Sequence, residues 1–69
     1  MKIRVRRLIE IYCDDYYDVD EINDKIIQRC IEDDYTLFSG ETIPHWNNFN
    51  DISGEVYDED DNLLKTYGN

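Results

Sequence analysis

Residues 1–13, MKIRVRRLIEIYC, decide the fold class. Ile3, Val5, Ile9, Ile11 and Cys13 share one parity, and Lys2, Arg4, Arg6, Glu10 and Tyr12 share the other. Such alternation marks a strand buried on one face, so a single strand is predicted over 2–13. Two residues break the pattern: Arg7 falls on the apolar parity and Leu8 on the polar one. Either a bulge shifts the register there, or Arg7 runs its stem past the sheet edge and keeps its charge in water.

After this strand, Asp14–Asp18 reads as an acidic, tyrosine-bearing connection, and a helix is expected from about Val19. Asp18 can cap it, with Glu21 three residues on as a capping box requires. Ile22, Ile26 and Cys30 recur every four residues, and Ile27 and Ile31 widen the stripe. Asp20, Glu21 and Asp24 suit the positive end of the helix dipole, whereas Glu32, Asp33 and Asp34 crowd its negative end. They are either a plain helix stop or a place where function overrides local stability.

Tyr35–Phe38 is a candidate short strand and Ser39-Gly40 a turn. Residues 41–50 read as a loop, with Trp46 and Phe49 folding back onto the core. Residues 52–58 and 63–67 read as a hairpin, with Ile52, Val56, Leu63, Leu64 and Tyr67 on its apolar side and Asp60-Asp61-Asn62 in its turn. The order β-α-(β)-β-β gives an α+β fold: an antiparallel sheet of three to four strands with one helix packed on a face. One domain, 1–69, is expected, because so short a chain buries only about 60% of the surface its unfolded form exposes. Six tyrosines, two phenylalanines and one tryptophan supply a core that disordered acidic tails lack.

Charge limits the partners. Seventeen acids face seven Lys and Arg, a net −10. Lys2, Arg4, Arg6 and Arg7 supply four of the seven cations; Lys25, Arg29 and Lys65 are the rest. Such a field repels nucleic acid and anionic membrane and attracts basic surfaces. The basic start is therefore expected to pair with nearby carboxylates, or to guard an exposed strand edge against aggregation, and not to bind nucleic acid directly. No run approaches the roughly 20 apolar residues of a membrane span, and no signal peptide is evident. Two cysteines, Cys13 and Cys30, are too few for a disulfide framework, so free, buried thiols in a reducing cytoplasm are expected.

Catalytic and metal chemistry lack their parts. The single histidine, His45, lies in the loop, and Cys13 and Cys30 fall on core faces, so no enzyme is expected. Asp58, Asp60 and Asn62 have the opening spacing of a calcium loop, but Leu63 stands where glycine is needed and Asn69 where a bidentate Glu is needed. No cofactor or metal is expected. What remains is the set Asp14, Asp15, Tyr16, Tyr17, Asp18, Glu32, Asp33, Asp34, Asp58, Glu59, Asp60 and Asp61, acids interleaved with the tyrosine that interface hot spots favour. On one face they could dock on a basic groove. The plainer alternative is a structural or regulatory interaction module, a homodimer joined through an edge strand, with the charge serving solubility.

A short Asp/Glu/Tyr-rich chain with an opening strand (MKIRVRRLIEIY), a capped helix (DVDEINDKIIQRCIEDD) and an acidic hairpin (EVYDEDDNLLKTYG) resembles small bacteriophage inhibitors of host defence, including anti-CRISPR proteins and DNA mimics. The resemblance implies a viral, non-enzymatic blocker, acting in the host cytoplasm, of a basic host protein that binds nucleic acid: a CRISPR effector, a restriction enzyme or a polymerase. It carries over no site residues, and the basic start departs from a uniformly acidic mimic.

Overall fold

The computed structural model describes residues 1–9, 11–37, 39–44 and 52–68. The expectations placed on Phe38, His45, Trp46 and Phe49 lie outside these residues. Six strands and one helix are described: β1 (Lys2–Leu8), β2 (Tyr12–Asp18), α1 (Asp24–Ile31), β3 (Tyr35–Thr36), β4 (Thr42–Ile43), β5 (Ser53–Asp58) and β6 (Leu63–Tyr67). Four of them form an antiparallel sheet in the order β2-β1-β5-β6, and β3 and β4 pair separately. The α+β class with one helix is as the sequence predicts.

The opening strand is two strands. The chain turns at 9–11, where the Ile9 amide donates to Ile11 O (3.2 Å), and returns as β2 with Arg6 opposite Asp14 and Leu8 opposite Tyr12. The predicted acidic connection at 14–18 is thus a strand. Aspartate is depleted in strands, but here the cations of β1 hold the carboxylates, and cross-strand pairing overrides propensity. It also makes β1 an interior strand, so its cations guard no edge. Neither predicted escape for Arg7 occurs. β1 keeps its register through 7 and 8, and Arg7 points inward with Ile3 and Val5, 1% exposed.

The helix starts later than expected. Val19 is tied to the N-terminus by two backbone bonds, Val19 N to Met1 O (2.8 Å) and Met1 N to Val19 O (3.0 Å). That pairing holds Val19 extended, and the helix begins only after Asn23. The cap is Asn23, not Asp18: its Oδ1 accepts from the Ile26 amide (2.9 Å), satisfying one of the donors a helix start leaves open. Ile27 and Cys30 bury against Ile3, Val5 and Val56, with Tyr17, Val19, Ile22, Ile26, Ile31, Leu64 and Tyr67 packed around them.

The hairpin stands where expected, with Leu64 and Tyr67 on the core, but Leu63 is not on its apolar side: a register shift between Val56 and Tyr57 leaves it exposed. The Asp58 carboxylate builds its turn, accepting from the amides of Asp60 and Asn62 (both 2.9 Å) and from Asn62 Nδ2 (3.1 Å). Asp61 takes φ 63°, a left-handed conformation that Asp tolerates better than most residues. In β5, a Cβ on Gly54 would lie 1.8 Å from Arg6 O and 2.6 Å from Tyr67 Oη. The missing side chain lets Tyr67 reach across the sheet and donate to Arg6 O (3.0 Å). Part of the predicted 41–50 loop is strand β4, which closes a small hairpin on β3 around Gly40 at φ 92°.

Candidate functional site

The register sorts the β1 and β2 side chains onto two faces. Ile3, Val5, Arg7, Cys13, Asp15 and Tyr17 face the helix; Lys2, Arg4, Arg6, Leu8, Tyr12, Asp14, Tyr16 and Asp18 face the other way. Each cation of β1 has a carboxylate. Lys2 Nζ lies 4.0 Å from Asp18, Arg4 Nη2 3.3 Å from Asp61, Arg6 Nε 3.0 Å from Asp14 and Arg7 Nη1 2.7 Å from Asp15. Ion pairing, one of the two roles expected of the basic start, is therefore its role in the fold.

The Arg7 pair is structural. Besides Asp15, its Nη2 donates to Cys30 O (3.0 Å) and Ile31 O (3.4 Å) at the end of α1. A cation there opposes the negative end of the helix dipole, beside the acidic run Glu32–Asp34. Asp15 in turn accepts from the Thr36 amide (3.2 Å), and the Tyr35 ring lies 5.4 Å from the guanidinium carbon. One buried charge thus ties together β1, β2, β3 and α1.

The candidate binding residues do not form a single face. Asp14 and Asp15 are engaged by Arg6 and Arg7 on opposite faces of β2. Tyr17 is half-buried against the core, and burial raises its phenol pKa. Glu32, Asp33 and Asp34 follow the helix, at the Arg7 end of the sheet. Asp18 and Asp58–Asp61 gather at the opposite end. There Lys2 meets Asp18 by its side chain and Glu59 by its amide (3.4 Å), and Val19 pairs with Met1. Sequence reasoning left Asp20, Glu21 and Asp24 out of the site, although they follow Val19 at this same end; the Met1–Val19 pairing that places them is a long-range contact with no local sign. The Asp58 carboxyl is held below its ordinary pKa by the hydrogen bonds from Asn62 and Asp60, so it is firmly anionic.

Elsewhere the chemistry is sparse. Cys13 and Cys30 are both free and buried, and desolvation, with Asp33 nearby, raises the Cys30 thiol pKa, which disfavours a reactive thiolate. Among the described residues, no group of three or more His, Cys, Asp or Glu is arranged to hold a metal ion, and no helix is long and apolar enough to cross a membrane. Comparison with known protein families, curated proteins and solved structures finds no match to this chain.

Proposed function

We propose that this chain is a non-enzymatic binding protein whose acidic end docks on a basic, nucleic-acid-binding surface of a partner protein. One observation carries the reading. After the cations of β1 have taken their carboxylates, Asp20, Glu21, Asp24, Asp58, Glu59 and Asp60 still stand at one end of the sheet, joined by Asp18 and Asp61, whose carboxylates stay exposed in their pairs with Lys2 and the largely buried Arg4. Carboxylates on a rigid strand end and a tight turn can stand in for phosphates, and docking on a basic groove would release the counterions of both surfaces. This acidic surface is smaller than the sequence suggested, because Asp14 and Asp15 are drawn into the sheet. The proposal that the partner is a CRISPR effector, restriction enzyme or polymerase blocked by a phage protein rests on size and charge alone.

The alternative, an edge-strand homodimer, has less support: of the two outer strands, β2 carries Asp14, Asp15 and Asp18, and charged side chains on an edge discourage pairing. β6 is an outer strand with a register shift opposite Val56 and Tyr57 and with Lys65 at its centre, and both features discourage edge-to-edge pairing.

The test uses carboxylates that neither shape the turn nor pair with a cation of β1. Asp58 shapes the turn and Asp61 holds Arg4, so Asp20, Glu59 and Asp60 are changed together to Lys. Basic proteins captured from a bacterial lysate by the native chain should elute with rising salt and be displaced by duplex DNA, and the triple variant should capture far less. Equal capture by a folded triple variant, or retention indifferent to salt, would refute docking through this end.

A further inference from the structure

Three arginines of β1 are held in the same way, by a tyrosine ring and an aspartate together. Arg4 lies 4.7 Å from the Tyr57 ring centre and 3.3 Å from Asp61. Arg6 lies 5.0 Å from the Tyr12 ring centre, with Nε 3.0 Å and Nη2 3.3 Å from the two oxygens of Asp14. Arg7 lies 5.4 Å from the Tyr35 ring centre and 2.7 Å from Asp15. The pattern suits a guanidinium, which is planar and weakly hydrated: its face stacks on the ring while its edge meets the carboxylate. An ammonium is a compact, strongly hydrated point charge and does only one of these well.

The same pair recurs one step along the outer face of β2. Tyr12 and Asp14 clamp Arg6; Tyr16 and Asp18 have the same spacing, the same strand and the same face. The β1 residue opposite Asp18, where Arg6 stands opposite Asp14, is Lys2. Its ammonium is 4.0 Å from Asp18, with side chains 63% and 79% exposed, and among the described residues it makes no cation–π contact. Tyr16 is 67% exposed, the most exposed large apolar residue described. Beside it lies a hollow of about 160 Å³ bordered by Lys2, Arg4, Asp58, Glu59 and Asp61.

We infer that Tyr16 and Asp18 form a receptor for an arginine side chain of the partner, which stacks on the exposed Tyr16 ring and takes Asp18 from the loosely held Lys2 ammonium. This deepens the proposed function and rests on it: the acidic end attracts a basic partner, and the clamp selects guanidinium over ammonium.

The test is a titration of the full chain at low salt with two peptides of equal length and charge, one of alternating Arg and Gly, the other of alternating Lys and Gly. The arginine peptide should bind tighter, by a few-fold to about tenfold. Tyr16→Ala and Asp18→Asn should each erase that preference, and Tyr16→Phe should keep it. Lys2→Arg places the chain's own guanidinium opposite Asp18 and should lower the preference while leaving the fold intact. Equal, salt-sensitive binding of both peptides would overturn the clamp and leave acidic docking standing, as would an arginine preference that survives Tyr16→Ala. Failure of both peptides to bind would overturn both.

Discussion

Arg6 and Arg7 are chain neighbours with the same chemistry on opposite faces of one sheet. Both pair with an aspartate eight residues on, and both stack near a tyrosine. Arg6 keeps about a third of its side chain in solvent, with Asp14 at a quarter. Arg7 is 1% exposed, Asp15 18%, and the Arg7 Nη2 donates to two carbonyls at the end of the helix. Identical pairs therefore do different work. Outside, water already satisfies both charges and the pair adds little. Inside, among the described residues, each partner is the other's only opposite charge, and losing one leaves the other's charge uncompensated.

The widest separation between the two faces should come from Arg7→Leu. It leaves Asp15 without its counterion and Ile31 O without the Arg7 donor, while Cys30 O keeps the Asp33 amide (3.3 Å), and should cost about 3–5 kcal/mol. A domain this small has on the order of 5–15 kcal/mol in all, so urea unfolding should show the variant near its limit. Arg7→Leu combined with Asp15→Leu should recover most of the loss, because a buried pair replaced by apolar groups of similar size is often neutral. If the double variant is no better than the single, the bonds to Cys30 O and Ile31 O matter more than the ion pair.

Next in size is Gly54→Ala, which tests whether the two faces are locked in register. A methyl group there meets Arg6 O and Tyr67 Oη, so β5 must shift or Tyr67 must leave. Overpacking of this kind costs about 1–3 kcal/mol, and the urea midpoint should fall accordingly. Adding Tyr67→Phe should restore little, because the closer clash is with backbone.

Tyr67 also links the faces through pH. Desolvation, only partly opposed by Arg7, pushes its phenol up to about 12, against about 10 in an unfolded chain. The folded state then holds the proton more tightly. The contribution is fully present below about pH 10 and is lost as pH rises through about 12. Unfolding midpoints should decline across that window, and Tyr67→Phe should flatten the decline. Tyr17 is shifted in the same direction by its own burial, so some slope should remain.

How much of this was legible depends on whether the cause was local. The 52–58/63–67 hairpin could be read because its alternation and its Asp-rich turn lie within one short segment. The β2 strand could not, because its warrant is the opposing strand. Arg6-Arg7 is followed eight residues later by Asp14-Asp15, but an antiparallel return sets only Arg6 opposite Asp14, with Arg7 reaching Asp15 on the diagonal, so the two dipeptides do not by themselves announce the pairing. The helix start was misplaced for the same reason: nothing near Val19 shows that Met1 will pair with it. For the site, the sequence supplied the acids and tyrosines but not their sorting, since which face an aspartate occupies depends on a register set by β1.

The smallest effect should come from Arg6→Ala. Its pair with Asp14 is two-pronged, which favours it, and Glu55 stands opposite it on β5 as a second carboxylate. Yet the groups are partly solvated, so the loss should be at most about 1 kcal/mol and should shrink further as salt screens the outer face. Arg7→Leu should be nearly indifferent to salt, because its charges are shielded from solvent. Measuring both variants at low and high ionic strength therefore separates the two faces without assuming any absolute energy. An Arg6→Ala loss as large as that of Arg7→Leu, and as insensitive to salt, would mean that the outer face is covered in solution, and Tyr16 and Asp18 would then be unavailable to a partner.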